Sequence, residues 1–169
     1  MSEIELRSVQ EGELESLHKM QVESFMPLYE KYHDEGNPAI ETLERVKKRA
    51  DRPNRQYYFI IQDGNRVGAI NLGHNDPDIW CYCIDKADTP NAMLSYCVFD
   101  ESSWNKGIAT DATLLFLEEI KNKFNLESIG AFTYSDNLAS IKVLEKSGFE
   151  LIEAFEEEGR ESKYFQRNF

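Results

Sequence analysis

The chain has 169 residues, of which 41% are hydrophobic and 30% charged, and its formal net charge is −12. A surface this acidic repels nucleic-acid phosphates and anionic membranes, so we expect neither kind of partner. The charge favours cations, including amines, although it is equally compatible with a role in solubility alone. This length and composition are typical of one globular domain, which we predict to span residues 1–169.

Cysteine usage indicates the compartment and argues against a metal site. The three cysteines are Cys81, Cys83 and Cys97, and no basic or apolar leader stands at residues 1–5. An odd number of cysteines without a leader is typical of reduced thiols in a cytoplasmic protein. Cys81 and Cys83 are two residues apart, which places both on one face of a strand, so we predict no metal site.

The N-terminal half alternates between helical and strand patterns. It begins with an alternation of apolar and polar residues, which is typical of a strand, followed by acidic residues typical of a helix start. Asp63-Gly64-Asn65 has the residue types of a hairpin turn. We expect Phe25-Met26-Pro27 to interrupt the first helix, with a short turn at 28–33. The predicted elements are a strand at 3–9, helices at 11–24 and 39–50, strands at 56–61, 66–72 and 79–84, and a loop at 85–90.

The C-terminal half has a clearer pattern. An apolar residue recurs every four positions from Ile108 to Phe124, which predicts a helix with one buried stripe. Gly148 is a typical helix stop. The predicted elements are a strand at 93–99, a helix at 111–124, a strand at 128–134, a helix at 138–147, and a final hairpin of strands at 149–155 and 162–169. This order predicts an α/β (α+β mixed) fold whose mixed sheet has helices on both faces.

The loop Trp104-Asn105-Lys106-Gly107-Ile108-Ala109-Thr110 joins the strand at 93–99 to the following helix. Backbone N–H groups at a helix start are unpaired and carry partial positive charge, which suits a phosphate. Gly107 lets a ligand approach the backbone closely. Lys106 is a cation beside this positive end, which a phosphate between the two would explain. The alternative is a solvated lysine in an ordinary loop.

A second motif lies at residues 137–149, Asn-Leu-Ala-Ser-Ile-Lys-Val-Leu-Glu-Lys-Ser-Gly-Phe. Together the two motifs resemble the GNAT superfamily of acyl-CoA-dependent N-acetyltransferases, over essentially the whole chain. The first resembles its pyrophosphate loop, Q/R-x-x-G-x-G/A, with Trp104 in place of Gln or Arg and Asn105 in place of a second glycine. This variant is similar to the branch that includes ribosomal-protein and other N-terminal acetyltransferases.

The resemblance implies a mostly antiparallel central sheet of about six to seven strands flanked by about four helices. It also implies acetyl-CoA as cofactor and direct transfer of acetyl to a primary amine, on a small molecule or a peptide N-terminus, in a ternary complex. A monomer or a homodimer is expected. The implied cofactor-binding residues are Val98, Phe99, Asp100, Trp104, Asn105, Lys106, Gly107, Ile108, Ala109, Thr110 and Asn137.

Several residues are candidates for the catalytic groups. Asn137 matches the family position near the thioester, and it also suits a helix N-cap. Ser140 could donate to the leaving sulfur or be a small residue at a helix contact. Leu144 stands where the family often has a tyrosine that protonates the thiolate, and a leucine cannot do so. Tyr134 and Tyr96 are candidate substitutes by neighbourhood.

The proton acceptor and the amine pocket are also open. Asp100 and Glu101 follow the central strand and are candidate bases, as is Glu23. Glu23, Phe25 and Tyr29 are the residues we expect at the acceptor pocket, on and just after the first helix. The missing tyrosine leaves a second hypothesis, a non-catalytic GNAT-like module that binds CoA as a sensor or scaffold. A nucleotide-phosphate enzyme is a weak third, because no P-loop or dinucleotide fingerprint is present.

Overall fold

The computed structural model describes residues 3–32, 42–75, 92–157 and 159–169, without the side chains of residues 25–32 and 157. The strand predicted at 79–84 and the loop predicted at 85–90 lie outside these ranges, as do Cys81 and Cys83. The strands are β1 Ile4–Ser8, β2 Arg55–Gln62, β3 Asn65–His74, β4 Ala92–Val98, β5 Ser128–Tyr134, β6 Glu150–Glu157 and β7 Arg160–Asn168. The α-helices are α1 Leu14–Tyr32, α2 Leu43–Ala50, α3 Ile108–Phe124 and α4 Leu138–Lys146.

The strands form one sheet in the order β1-β2-β3-β4-β5-β7-β6. Every neighbouring pair is antiparallel except β4 and β5, which are parallel. The predicted mixed, mostly antiparallel sheet with about four helices is therefore confirmed for the described residues. Both predicted hairpins are also confirmed, and Asp63 and Gly64 in the first turn have positive φ angles of 48° and 81°.

Alternation along the strands separates two cores. Tyr58 and Ile60 of β2 face the larger one, which includes the α3 stripe and Leu144 of α4. Phe59 and Ile61 face the other side, where they pack with Leu17 of α1. The predicted placement of helices on both faces is confirmed. Among the described residues, no helix is long and apolar enough to cross a membrane.

Three predicted helix boundaries were wrong. Helix α1 continues through Pro27 to Tyr32, although we expected an interruption at 25–27. A proline removes one backbone donor, which can be tolerated within a helix that is held by packing elsewhere along its length. Helix α2 begins at Leu43, because Thr42 is extended and its hydroxyl accepts from Arg45 N at 3.3 Å, whereas residues 39–41 of the predicted helix lie outside the described residues. Helix α3 begins at Ile108 rather than at residue 111.

Candidate functional site

The two parallel strands β4 and β5 pair with each other at one position only, Met93 with Gly130, near the start of both strands. A Cβ atom on Gly130 would lie 2.7 Å from the hydroxyl of Tyr164 and 2.8 Å from the sulfur of Met93. The strands therefore meet closely at this point because one of them carries a glycine there. Beyond this position β4 and β5 are not paired, and we call the region between their carboxyl-terminal halves the cleft.

The register of β4 determines which backbone groups face this cleft. The N–H of Phe99 donates to Val67 O at 2.8 Å, and the carbonyl of Phe99 accepts from Ser24 Oγ at 3.0 Å. Because backbone groups alternate in direction along a strand, Tyr96 and Val98 turn theirs away from β3 and into the cleft. Of the residues predicted to bind the cofactor through this strand, Val98 therefore turns its backbone groups toward the cleft, although its carbonyl accepts from the indole of Trp104. The backbone groups of Phe99 are occupied within the protein.

Asp100 caps the turn that follows β4. Its carboxylate accepts from Ser102 N at 2.9 Å and from Ser102 Oγ at 2.6 Å. These hydrogen bonds hold the pKa of Asp100 below its usual range, and the positive charge of Lys106 lowers it further. A carboxylate stabilised in this way is a weaker proton acceptor, so the structure favours Asp100 as a capping residue over Asp100 as a base.

The loop that follows is shaped for close approach to the start of α3. Asn105 and Gly107 adopt left-handed backbone conformations, with φ angles of 59° and 83°. Gly107 is the N-cap residue of α3 and has no side chain with which to cap this helix end. The first N–H groups of this 17-residue helix therefore receive no hydrogen bond from the N-cap side chain, and the helix dipole adds partial positive charge. Trp104 closes the loop against β4, because its indole Nε1–H donates to Val98 O at 3.0 Å.

The other wall of the cleft begins at the N-terminus of α4. The side chain of Asn137 accepts from Ser140 N at 3.1 Å, which confirms the predicted N-cap. The backbone carbonyl of Ser140 accepts from the hydroxyl of Tyr96 at 3.2 Å, so α4 is tied to β4 across the cleft. Leu144 is only 1% exposed and packs in the larger core. The structure thus brings together Asn137, Ser140 and Tyr96. Leu144 is part of the core and has no group that could donate a proton.

Tyr134 lies at the end of β5 in a charged cluster. The guanidinium carbon of Arg160 lies 3.5 Å from the centroid of the Tyr134 ring. Arg160 also donates to Asp136 Oδ1 at 2.7 Å and to Asp136 Oδ2 at 3.0 Å. Tyr134 is therefore held by a cation–π contact, and this contact gives no evidence for a proton-donor role.

Helix α1 approaches the open end of the cleft. Ser24 donates through one hydroxyl that is shared between Phe99 O and Met20 O, which ties α1 to the end of β4. Glu23 precedes it and is exposed, with its carboxylate 3.9 Å from the ammonium of Lys19. Phe25 and Tyr29 continue the same helix, and their side chains lie outside the described residues. The expectation that α1 borders the site is therefore compatible with the Ser24–Phe99 contact.

Cys97 is unsuited to covalent catalysis. Burial of its thiol raises the pKa of Cys97 to about 12. The thiolate is the nucleophilic form, and almost none is present at neutral pH when the pKa is this high. The structure therefore gives no support to a cysteine nucleophile at position 97.

Two contacts at the site were not predicted from the sequence patterns. Ser24 meets Phe99 across 75 residues and Tyr96 meets Ser140 across 44. The alternation along β4 shows that Leu94, Tyr96 and Val98 share a face, which places Tyr96 toward α3 and α4. It does not show which helix carbonyl Tyr96 reaches, because that depends on how the strands diverge.

Residues 3–150 match a protein family described as an acetyltransferase (GNAT) domain. No curated protein sequence matches the chain significantly. Solved structures with the same fold include the aminoglycoside acetyltransferase AAC(6')-Ib in complex with paromomycin and acetyl-CoA, at a TM-score of 0.74 and 19% identity, covering 98% of this chain and 93% of that chain. The ribosomal-protein α-N-acetyltransferase RimL in complex with coenzyme A has a TM-score of 0.72 and 18% identity, covering 98% and 94%.

A third solved structure with the same fold is a chimera of the spermidine N-acetyltransferase SpeG from Vibrio cholerae and hSSAT. It has a TM-score of 0.68 and 17% identity, covering 98% of this chain and 95% of that chain. At these identities the structural likenesses establish the fold, and the family match extends over most of the chain. The chain therefore belongs to the GNAT family of acetyltransferases.

Proposed function

We propose that this protein is an acetyl-CoA-dependent N-acetyltransferase that transfers acetyl directly to a primary amine in a ternary complex. The observation that carries the proposal is the lack of pairing between β4 and β5 beyond Met93, together with an α3 N-terminus whose N-cap residue is a glycine without a capping side chain. An extended chain that ends in phosphates fits this combination, because strand edges offer hydrogen bonds and the helix start offers positive charge. We also propose that residues 1–169 act as one domain, since strands from β1 to β7 join one sheet.

The pyrophosphate of acetyl-CoA is proposed to lie on the loop from Trp104 to Thr110. The N–H groups of Ile108, Ala109 and Thr110 point from the first turn of α3, and the left-handed Gly107 removes side-chain bulk beside them. The pantetheine arm would then follow β4, where the backbone groups of Tyr96 and the N–H of Val98 face the cleft. Lys106 adds a positive charge at the phosphate end.

Three group movements make up the proposed reaction. The amine loses a proton, because a free alkyl ammonium has a pKa of about 10 and cannot attack while charged. Its nitrogen then bonds to the thioester carbonyl carbon, the carbon–sulfur bond breaks, and the second proton that the nitrogen gives up to become an amide is balanced by the proton that the thiolate takes up. Negative charge develops on the carbonyl oxygen and needs a hydrogen-bond donor. The Asn137 amide nitrogen suits this task, since its amide oxygen is used by the helix cap.

Water and polar side chains are proposed to move the protons. Asp100 is hydrogen-bonded to Ser102, which disfavours it as a base, so we assign removal of the amine proton to water or to Glu23 on the exposed side of α1. Protonation of the leaving thiolate is assigned to Ser140 or to water, because Leu144 offers no donor.

The acceptor is proposed to be a cationic amine. AAC(6')-Ib, RimL and the spermidine acetyltransferase are named for an aminoglycoside, a ribosomal protein and a polyamine, so the fold accommodates amines of very different size. The net charge of −12 favours an acceptor that carries additional positive charge. The alternative, a CoA-binding module without turnover, is favoured by the buried leucine at position 144.

The test is release of CoA thiol from acetyl-CoA across a panel of aminoglycosides, polyamines and peptides with free N-termini, followed by mass measurement of the product. We expect a gain of one acetyl group on at least one amine. Stabilisation by CoA without turnover on any amine would support the non-catalytic alternative instead. A protein that shows neither turnover nor CoA binding would contradict the proposal.

A further inference from the structure

The hydroxyl of Tyr96 links the two walls of the cleft. It donates to the Ser140 carbonyl at 3.2 Å. Tyr96 is three residues beyond Met93, so this link lies roughly 10 Å along β4 from the position where β4 and β5 pair. At this distance the diverging strands no longer bond to each other, and Tyr96 supplies a cross-link between β4 and α4.

The link holds the part of α4 that the proposed reaction uses. Ser140 belongs to the first turn of α4, and its N–H is bound by the cap residue Asn137. A hydrogen bond to the Ser140 carbonyl therefore restrains Asn137 as well, because the two residues are joined through the cap. The contact is thus one restraint on the position of the Asn137 amide relative to β4.

Tyr96 is suited to a permanent structural link and poorly suited to proton transfer. Burial raises the pKa of Tyr96 to about 12, so the phenol keeps its proton at every working pH. A thiol has a pKa of about 8.5, so transfer of the phenolic proton to a thiolate is uphill. The phenol therefore acts as a hydrogen-bond donor.

We infer that Tyr96 is a positioning residue that fixes the distance between β4 and the first turn of α4, and thereby limits the size of the acyl group that the cleft accepts. The inference rests on the proposed binding of acyl-CoA in this cleft. In this proposal, an acyl chain longer than acetyl that lies between β4 and the Asn137–Ser140 turn would require the turn to move away from β4, and the Tyr96 hydrogen bond opposes that movement. Without the Tyr96 hydroxyl, the Asn137–Ser140 turn can move away from β4 with a smaller loss of free energy.

The experiment measures the affinities of CoA, acetyl-CoA and butyryl-CoA by calorimetry for the wild type and two variants. Tyr96→Phe removes the hydroxyl and keeps the ring. Tyr58→Phe is the matched control, because Tyr58 is also buried in the larger core and its hydroxyl also bonds to a helix, at Glu119 of α3. Should Tyr96→Phe not fold, Tyr96→Met also fills the space without a hydroxyl.

We expect the wild type to bind acetyl-CoA more tightly than butyryl-CoA. Tyr96→Phe should reduce that preference about fivefold, the factor that one ordinary hydrogen bond allows, and leave the affinity for CoA nearly unchanged. Tyr58→Phe should keep the wild-type preference. If an active amine is known, Tyr96→Phe should lower kcat with acetyl-CoA more than it changes KM.

Two results would overturn the inference alone. One is a wild type that binds CoA but does not distinguish the two acyl groups. The other is a preference that Tyr96→Phe leaves unchanged, or that Tyr58→Phe reduces equally. A wild type that binds none of the three compounds would overturn the proposed function, and this inference with it.

Discussion

The indole Nε1–H of Trp104 donates a hydrogen bond to the carbonyl oxygen of Val98 at 3.0 Å. This contact joins the loop at the start of α3 to the last residue of β4, so one side chain connects the proposed phosphate site to the proposed pantetheine site. Trp104 is 38% exposed, and the fold does not depend on its burial. The residue that departs from the common GNAT loop pattern thus has a definite structural role.

We predict that Trp104→Phe weakens CoA binding about fivefold, because an ordinary hydrogen bond contributes roughly 1 kcal/mol to holding the loop. Calorimetry with CoA measures the change, and the thermal midpoint checks that the fold persists. Leu114→Ala is a control of similar exposure, on the surface of α3. An affinity for CoA that Trp104→Phe leaves at the wild-type value would show that the contact does not shape the site.

Gly107 tests the phosphate assignment. Gly107→Glu should abolish measurable CoA binding, because its φ of 83° disfavours a side chain and the added carboxylate would repel a phosphate at the helix start. Among the described residues, a Cβ at Gly107 would meet only Asp111 Oδ2, at 3.9 Å, so the added side chain causes no clash and its cost to the fold is the strain of the positive φ. The thermal midpoint of the variant checks that the lost binding does not come from unfolding.

Gly107→Asn is the matched variant, because asparagine tolerates a positive φ better than most residues and adds no charge. It should retain CoA binding within about tenfold of the wild type, which is a loss of roughly 1.4 kcal/mol. Unchanged affinity for CoA in Gly107→Glu would remove the loop from the cofactor site.

Asn137 has a capping role that the structure shows and a catalytic role that we propose. Asn137→Ala should destabilise the protein by about 1 kcal/mol through loss of the cap, and should also lower kcat. Asn137→Ser keeps an oxygen acceptor for the cap but has no amide donor. We expect it to preserve the free energy of unfolding while kcat falls roughly tenfold or more, in line with loss of a hydrogen bond to the developing oxyanion.

Urea unfolding and steady-state kinetics on the same preparations separate the two roles of Asn137. Full activity in the stable Asn137→Ser variant would assign the residue to capping alone.

The ion pairs of Glu13 should make the free energy of unfolding decrease at acidic pH. Its carboxylate accepts from Arg7 at 2.9 Å and from Gln10 N at 3.1 Å, and it also pairs with Arg66. These contacts lower the pKa of Glu13 to about 2, with the Arg7 hydrogen bond as the largest cause. Because the folded pKa lies below the unfolded value of about 4.5, the stabilisation is present above pH 4.5 and is lost as the pH falls toward 2.

We predict that Glu13→Gln reduces the free energy of unfolding by about 1 kcal/mol at pH 7, at the upper end for partly exposed ion pairs. The difference between wild type and variant should shrink between pH 4.5 and pH 2. Urea titrations across this range measure it, with Glu15→Gln as the control at an exposed position on the same segment. A difference that stays constant with pH would show that the ion pair does not titrate as described.

Much of the fold followed from local patterns. The stripe from Ile108 to Phe124 predicted the buried face of α3, and Gly148 has the positive φ of 80° expected at the end of α4. These features depend on neighbours within one or two turns, which the sequence displays directly. The break expected at Pro27 was wrong because local propensity is weaker than the packing that supports a helix.

The sequence by itself determined the family, the cap at Asn137 and the loop at Gly107, because each depends on short spacings and on the conformations that single residues allow. Only the tertiary structure decided which backbone groups of β4 face the cleft, that Ser24 reaches Phe99, and that Tyr96 reaches Ser140. Those contacts join residues far apart in the chain. They depend on the order and divergence of the strands, which the patterns within each strand do not contain.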